Sequence, residues 1–217
     1  AVALGADALG LVSDMPSGPG PIPDELIARI AAVVPPPVAT FLLTCRTEGP
    51  DIVAHLLRCR TNTVQLVDAA DQAVYTLIHR ELPWIRIVQV VHVLDETALD
   101  EAAGVAPFVD ALLLDSGNPG LEVKELGGTG RVHDWEISRR IVAEVDRPVF
   151  LAGGLRPDNV ARAVGRVRPY GIDLCTGVRT GGRLDLEKLA AVTKALAAAD
   201  LGDWGWPAGG DEDKYNE

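Results

Sequence analysis

The chain is poor in cysteine. Its 217 residues hold three, Cys45, Cys59 and Cys175. An odd, scattered set with no CxxC spacing excludes a disulfide framework and a thiolate metal centre, and predicts a reducing compartment, the cytoplasm. His55, His79 and His92 show no ligand spacing either, so no metal and no cofactor is expected. Long apolar runs are also missing. None approaches the ~18 residues of a membrane span, so no membrane partner is expected. The opening residues, Ala1 to Ala6, lack the basic and apolar regions of a signal peptide. Positive charge is scarce: 20 Lys and Arg against 31 Asp and Glu leave a net charge of −11. No basic stripe breaks that balance, so no nucleic-acid partner is expected. The acidic excess favours solubility. An anionic substrate must then be held by local groups, against the overall field.

The residues present are 47% hydrophobic, enough for a sizeable core in a chain of one-barrel length. The most informative stretch runs from Ala111 to Gly182. It opens on a solidly apolar strand, Ala111-Leu112-Leu113-Leu114, that ends in Asp115-Ser116. A loop holding Gly127-Gly128-Thr129-Gly130 follows, then His133-Asp134-Trp135. A further strand leads to Leu151-Ala152-Gly153-Gly154-Leu155-Arg156-Pro157-Asp158-Asn159. A last one, Gly171-Ile172-Asp173-Leu174, runs into Cys175-Thr176-Gly177-Val178. Short apolar runs ending in small or charged residues read as strands buried on both faces, with chemistry at their C-terminal tips.

Two of those tips are glycine turns. Bare amides there suit a phosphate, because glycine lets the anion approach and a following helix start adds positive potential. Ordinary helix-start turns are the alternative. A phosphate site after the last two strands is the recurrent arrangement of a (β/α)8 barrel.

The remainder alternates in the same rhythm. Ala1 to Gly5 reads as the last turn of a helix with Gly5 as C-cap, and Asp7 to Val12 as a strand. A Pro- and Gly-rich loop, Ser13 to Pro23, precedes a helix over 24–34, which Pro35-Pro36-Pro37 ends. Strands are expected at 38–44, 63–67 and 85–93, and helices at 50–59, 71–80, 96–108, 135–145, 157–167 and 186–199. This is the βα alternation of a parallel barrel, with a doubly wound sheet as the runner-up. Residues 1–199 form the expected barrel domain. Residues 200–217, with Trp204, Trp206 and the acidic run Asp211-Glu212-Asp213, read as a tail that either frays or packs its tryptophans on the barrel.

The order LLLDS, GGTG, HDW, LAGGLRPDNV, GIDLCTGV resembles the phosphoribosylanthranilate isomerase family of tryptophan biosynthesis. The likeness runs from Ala1 to about Ala197 and is strongest in the second half. It implies an α/β fold, a (β/α)8 TIM barrel that is N-terminally incomplete, with the first strand absent. It also implies an Amadori rearrangement of a phosphorylated small-molecule substrate by a monomer or homodimer. The resemblance makes Asp115 the general acid, and an apolar strand end raises a carboxyl pKa towards that task; a capping role is the alternative. Gly153, Gly154, Cys175, Thr176 and Gly177 fall at the phosphate grip, where Cys175, at a position the family often fills with Ser, also reads as a small packing residue. Asp173 either touches the ribose hydroxyls or is a buried Asp tied to nearby backbone. Asp134 is expected to cap a helix rather than to relay protons with His133.

The chain also departs from the family's pattern. The family's base is a cysteine on the first strand, in a Lys-Ile-Cys-Gly-like motif, and no cysteine here takes that place. Cys45 ends another strand and reads as a packed thiol, with a substitute base at the mouth as the alternative. Gly20 falls where the family has an Arg for the anthranilate carboxylate, Val67 where it has His, and Arg179 where it has Glu. Arg156 or Arg179 is left to supply the missing positive charge. Two further readings therefore stand beside the isomerase. One is a diverged barrel acting on another phosphorylated sugar-type substrate. The other is a non-catalytic barrel that binds a phosphorylated ligand.

Overall fold

The computed structural model describes residues 1–199. The expected tail, with Trp204 and Trp206, lies outside the described residues.

Seven parallel strands form one sheet in chain order. They are β1 (Ala8–Val12), β2 (Ala39–Thr44), β3 (Thr63–Leu66), β4 (Arg86–His92), β5 (Ala111–Asp115), β6 (Val149–Leu151) and β7 (Gly171–Ile172). The helices α1 (Asp24–Val33), α2 (Gly49–Cys59), α3 (Gln72–Glu81), α4 (Thr97–Val105), α5 (Trp135–Glu144), α6 (Val160–Val167) and α7 (Leu186–Ala197) follow the strands in turn.

The sheet is strongly curled. Phe41 on β2 and Phe150 on β6 meet edge to face, with ring centroids 6.1 Å apart. Four strand spacings of a flat sheet would hold them roughly 19 Å apart. Curling brings the inward residues together: Phe41, Leu43, Val88, Val90, Ala111, Leu113, Phe150 and Ala152 make one apolar cluster inside. The alternate residues, among them Leu42, Leu66, Ile87, Leu112, Leu114 and Leu151, face out and pack under Ile27, Ile52, Ile78 and Ile141 of the helices. Both faces are thus covered, which explains why these strands read as continuous apolar runs. Each fully buried Leu or Ile contributes about 1.5–3 kcal/mol.

β1 and β7 are the end strands of the sheet. On the helical side the chain start meets α7, where Thr193 Oγ1 donates to the Leu4 carbonyl at 3.1 Å. The first turn is a 3-10 helix, Val2–Leu4, closed by Gly5 at φ 92°, as its C-cap position predicts.

Three elements differ from expectation. The helix over 96–108 ends at Val105 and continues as a 3-10 turn, Ala106–Phe108, where Pro107 removes a backbone donor. The helix expected from Pro157 begins at Val160. A short antiparallel hairpin, β8 (Arg179–Thr180) with β9 (Arg183–Leu184), was not foreseen; Gly181 and Gly182, at φ 57° and 76°, make its turn.

Candidate active site

One pocket opens at the C-terminal ends of the strands, with about 750 Å³ of empty space counted to its mouth. Asp115, Gly153, Gly154, Asp173, Cys175, Thr176 and Gly177 all line it. The residues expected at the acid position and at both glycine turns therefore come together.

Asp115 ends β5 with 6% of its surface exposed. The GGTG segment folds back over it, so that a Cβ on Gly127 would lie 2.8 Å from Asp115 Oδ2. Burial pushes the Asp115 pKa up; the Ser116 amide and the neighbouring His92 pull partly against that. Ser116 ties down the covering loop: its hydroxyl donates to the Arg131 carbonyl at 2.8 Å and lies 2.9 Å from Thr129 Oγ1.

The two glycine turns touch. A Cβ on Gly177 would stand 1.8 Å from the Leu155 carbonyl oxygen, so only glycine fits there. Gly154 has φ 62°, and a Cβ on it would lie 2.5 Å from the Arg131 carbonyl oxygen. Among the described residues, the amides of Gly153, Gly154, Thr176 and Gly177 donate to no backbone carbonyl. They are free to meet an anion. The positive end of α6 is set back from them. Asn159 Oδ1 accepts from the Arg156 amide at 2.8 Å, and its Nδ2 donates to the Gly154 carbonyl at 3.0 Å. This side-chain clamp holds 156–159 as a turn and delays the helix to Val160.

Asp173 follows β7 directly and keeps some exposed surface in the pocket. Burial, then the facing Asp115 carboxylate, push its pKa up to about 6. Cys175 also lines the pocket, half-buried, with its thiol pKa raised by burial. Cys45 stands off the pocket lining. Its thiol donates to the Asp14 carbonyl at 3.4 Å and burial raises its pKa, as a packed thiol requires.

The two arginines part company. Arg156 turns away: its Nε donates to Asp158 Oδ1 at 3.1 Å on the exposed surface. Arg179 lies across the rim against the β1–α1 loop, and a Cβ on Gly20 would come within 3.2 Å of its Nη2. Its Nη1 donates to the Gly182 carbonyl at 3.2 Å.

Asp134 caps α5, its side chain accepting from the Glu136 amide at 2.8 Å. His133 sits behind Gly153, with Nε2 2.7 Å from Ser138 Oγ, and burial lowers its pKa to about 4. It is neutral at pH 7.

Sequence reasoning missed two features. His92 shares a register pair with Asp115, and its Nε2 donates to the Val67 carbonyl at 3.0 Å. The alternation of β4 puts 88, 90 and 92 on one face, which was the available signal. The second is a cluster of Asp24, His55 and Cys59, whose ligand-type atoms lie within 4.8 Å of one another. Its groups are already engaged. His55 Nε2 donates to Asp24 Oδ1 at 3.0 Å, Arg46 Nε donates to His55 Nδ1 at 3.1 Å, and Arg58 pairs with Asp24. Burial pushes the Cys59 thiol up to about 12. Two guanidiniums and a protonated thiol favour an α1–α2 clamp over a cation site.

Comparison with known proteins bears on the family of the chain. Residues 47–195 match the family model described as "PRAI: N-(5'phosphoribosyl)anthranilate (PRA) isomerase". The N-(5'-phosphoribosyl)anthranilate isomerase of Haloferax volcanii is 40% identical over 201 residues, covering 91% of this chain and 86% of that one. That of Halobacterium salinarum is 37% identical over 206 residues, covering 92% and 90%. Among solved structures, the phosphoribosyl anthranilate isomerase of Thermotoga maritima superposes with a TM-score of 0.74 at 28% identity, covering 90% of each chain. That of Thermus thermophilus has a TM-score of 0.75 at 25% identity, again over 90% of each. A thiamine phosphate pyrophosphorylase from Pyrococcus furiosus, with a TM-score of 0.62 at 22% identity, shares the fold alone. A match over more than half of the chain, with relatives at this identity and coverage, places the chain in the phosphoribosylanthranilate isomerase family.

Proposed function

We propose that the chain, through one barrel spanning residues 1–199, isomerises N-(5'-phosphoribosyl)anthranilate to the carboxyphenylamino-deoxyribulose phosphate in tryptophan biosynthesis. The observation that carries this is the pocket itself. A buried carboxyl with a raised pKa, Asp115, shares it with two touching glycine turns whose amides are free.

The chemistry follows from that placement. The phosphate sits on the amides of Gly153, Gly154, Thr176 and Gly177, which fixes the sugar at one end. Asp115, whose pKa burial raises, donates a proton to the ring oxygen as the nitrogen lone pair opens the ring. A Schiff base forms. A base then takes the C2′ proton, and the C–H electron pair becomes the enamine double bond. The keto product follows when the enol loses its proton and C1′ gains one.

Arg179 is the better placed of the two arginines to grip the anthranilate carboxylate. Its guanidinium fills the space that a side chain at Gly20 would take, so positive charge reaches the same rim from the opposite wall. The same gap at Gly20 is what favours the second reading, a barrel that kept the phosphate grip and changed its substrate. Among the described residues no helix is long and apolar enough to cross a membrane. The three free cysteines fit a cytoplasmic enzyme, working as a monomer or a homodimer.

Turnover of phosphoribosylanthranilate, together with rescue of a tryptophan auxotroph lacking its own isomerase, tests the proposal. Robust rescue rejects the diverged reading. Failure of rescue, with turnover of another phosphorylated sugar, rejects the isomerase.

A further inference from the structure

We propose that Gln65 binds the substrate, its side-chain amide holding the sugar hydroxyls at C2′ and C3′ from the wall opposite Asp173. The identity of the sugar rests on the isomerase reading above.

The observation is a buried amide without a partner. Gln65 stands on β3 with 5% of its surface exposed, and it lines the pocket. Among the described residues no protein group hydrogen-bonds its side chain. Gln89, the buried glutamine on β4, shows what such a group normally requires. Its Oε1 accepts from the Tyr75 hydroxyl at 2.9 Å, and its Nε2 donates to the carbonyls of Leu66, Asp68 and Val90 at 3.1, 3.0 and 3.0 Å. A buried polar group left unbonded costs about 1–3 kcal/mol. The open amide of Gln65 therefore fits a ligand that completes it.

The sheet register says which part of the ligand that is. Gln65 pairs with Val88, and Val88 with Ala111. Leu113 pairs with Phe150, and Phe150 with Gly171. Strands of a parallel barrel tilt, so a level layer climbs about one residue per strand and is filled from alternate strands. Level with Gln65 therefore stand Leu113 on β5 and Asp173 just after β7. All three line the pocket, whereas Ala111 and Gly171 do not. Gln65 and Asp173 lie four strands apart, as do Phe41 and Phe150, whose rings meet across the interior. Two phenyl rings fill that span. A glutamine and an aspartate are shorter, and what acts on Asp173 is burial, Asp115 and the Leu174 amide, not Gln65. A gap is left between two polar side chains.

That gap selects a neutral, hydroxylic group. An anion in it would meet Asp173 and the Asp115 carboxylate that acts on Asp173. The anthranilate carboxylate is thereby kept out. The aromatic ring belongs instead on the apolar wall of Met15, Leu43, Val67 and Val90. With the phosphate on the glycine turns, the sugar is the part that remains. A hydroxyl both gives and takes a hydrogen bond, and a carboxamide offers one donor edge and one acceptor. Gln65 Nε2 donates to one hydroxyl, Oε1 accepts from its neighbour, and Asp173 accepts from the far side. No bond is made or broken by Gln65; it fixes the sugar between the phosphate grip and Asp115.

The test uses the full natural chain and its Gln65→Met variant, which keeps the length of the side chain and loses both polar atoms. Calorimetric titration with ribose 5-phosphate and with inorganic phosphate reads the two ends of the site separately. Affinity for ribose 5-phosphate is expected to fall about ten-fold or more, the worth of two neutral hydrogen bonds, with affinity for inorganic phosphate unchanged. kcat/KM for phosphoribosylanthranilate should fall by a similar factor. The melting temperature should hold or rise, because the native amide has no protein partner to lose. Unchanged affinity for ribose 5-phosphate, equal losses for both ligands, or no binding of ribose 5-phosphate by the wild type overturns the proposal. So does a variant that melts well below the wild type, which would make Gln65 a structural residue. Binding of ribose 5-phosphate that depends on Gln65, in a wild type that does not turn over phosphoribosylanthranilate, upholds the sugar contact and overturns the isomerase reading.

Discussion

Gly177 lies directly against the carbonyl of Leu155, so closely that a Cβ would stand 1.8 Å from that oxygen. The two glycine turns thus form one surface, and the space for an anion depends on the missing side chain. Gly177→Ala is expected to force them apart. Overpacking of this kind costs about 1–3 kcal/mol, read as a shift in the denaturation midpoint. KM for the phosphorylated substrate should rise in the same variant. An alanine variant with wild-type stability and KM would show that the turns do not act together.

The carboxyl of Asp173 gives a stability signature whose sign is set by its raised pKa. A carboxyl with a higher pKa folded than unfolded stabilises the fold below the unfolded value near 3.8. It loses that contribution as pH rises through about 6. Asp173→Asn removes the titration. The variant should therefore be more stable than wild type at pH 7–8, by on the order of 2 kcal/mol, with the gain fading towards pH 4. Thermal melts of both proteins across pH 4–8 check it. A constant difference at every pH would mean that the ionisation of Asp173 is not the cause.

Arg179 should act on binding rather than on the chemical step. Arg179→Met is expected to raise KM by about ten- to a hundred-fold, the worth of a charge-assisted hydrogen bond, and to leave kcat near wild type. Arg156→Met, whose guanidinium is already paired with Asp158 at the surface, should change neither. Equal effects of the two variants would remove the distinction drawn between them.

Asp134 is a cap and not a proton relay. Asp134→Ala should cost about 1 kcal/mol through loss of its bond to the Glu136 amide. kcat should be unaffected, since neutral His133 donates no proton near pH 7.

Much of this was legible from sequence where local rules act. The solid apolar runs at 111–114 and 149–151 are strands covered on both faces, and Asp134 caps where an Asp before Trp135 should. The residues singled out at the tips of β5, β6 and β7 line one pocket. What was hidden depends on partners far apart in the chain. The late start of α6 comes from the Asn159 side chain, which holds Arg156 and Gly154 in a turn and competes with the helix that Pro157 would otherwise begin. The nearness of Arg179 to Gly20 arises from two loops at opposite ends of the sequence. The alignment of Asp115 with Asp173 needs the sheet register, which composition does not set. The Asp24–His55–Cys59 cluster spans two helices, so spacing along one of them could not reveal it.

The measurement that bears most directly on the account is the turnover of phosphoribosylanthranilate by the full chain and by Asp115→Asn. The account predicts that the wild type turns over and that Asp115→Asn loses about 10²–10⁴-fold in kcat with KM nearly unchanged, because an amide has no acidic proton for the ring oxygen. An Asp115→Asn enzyme as fast as the wild type would contradict it.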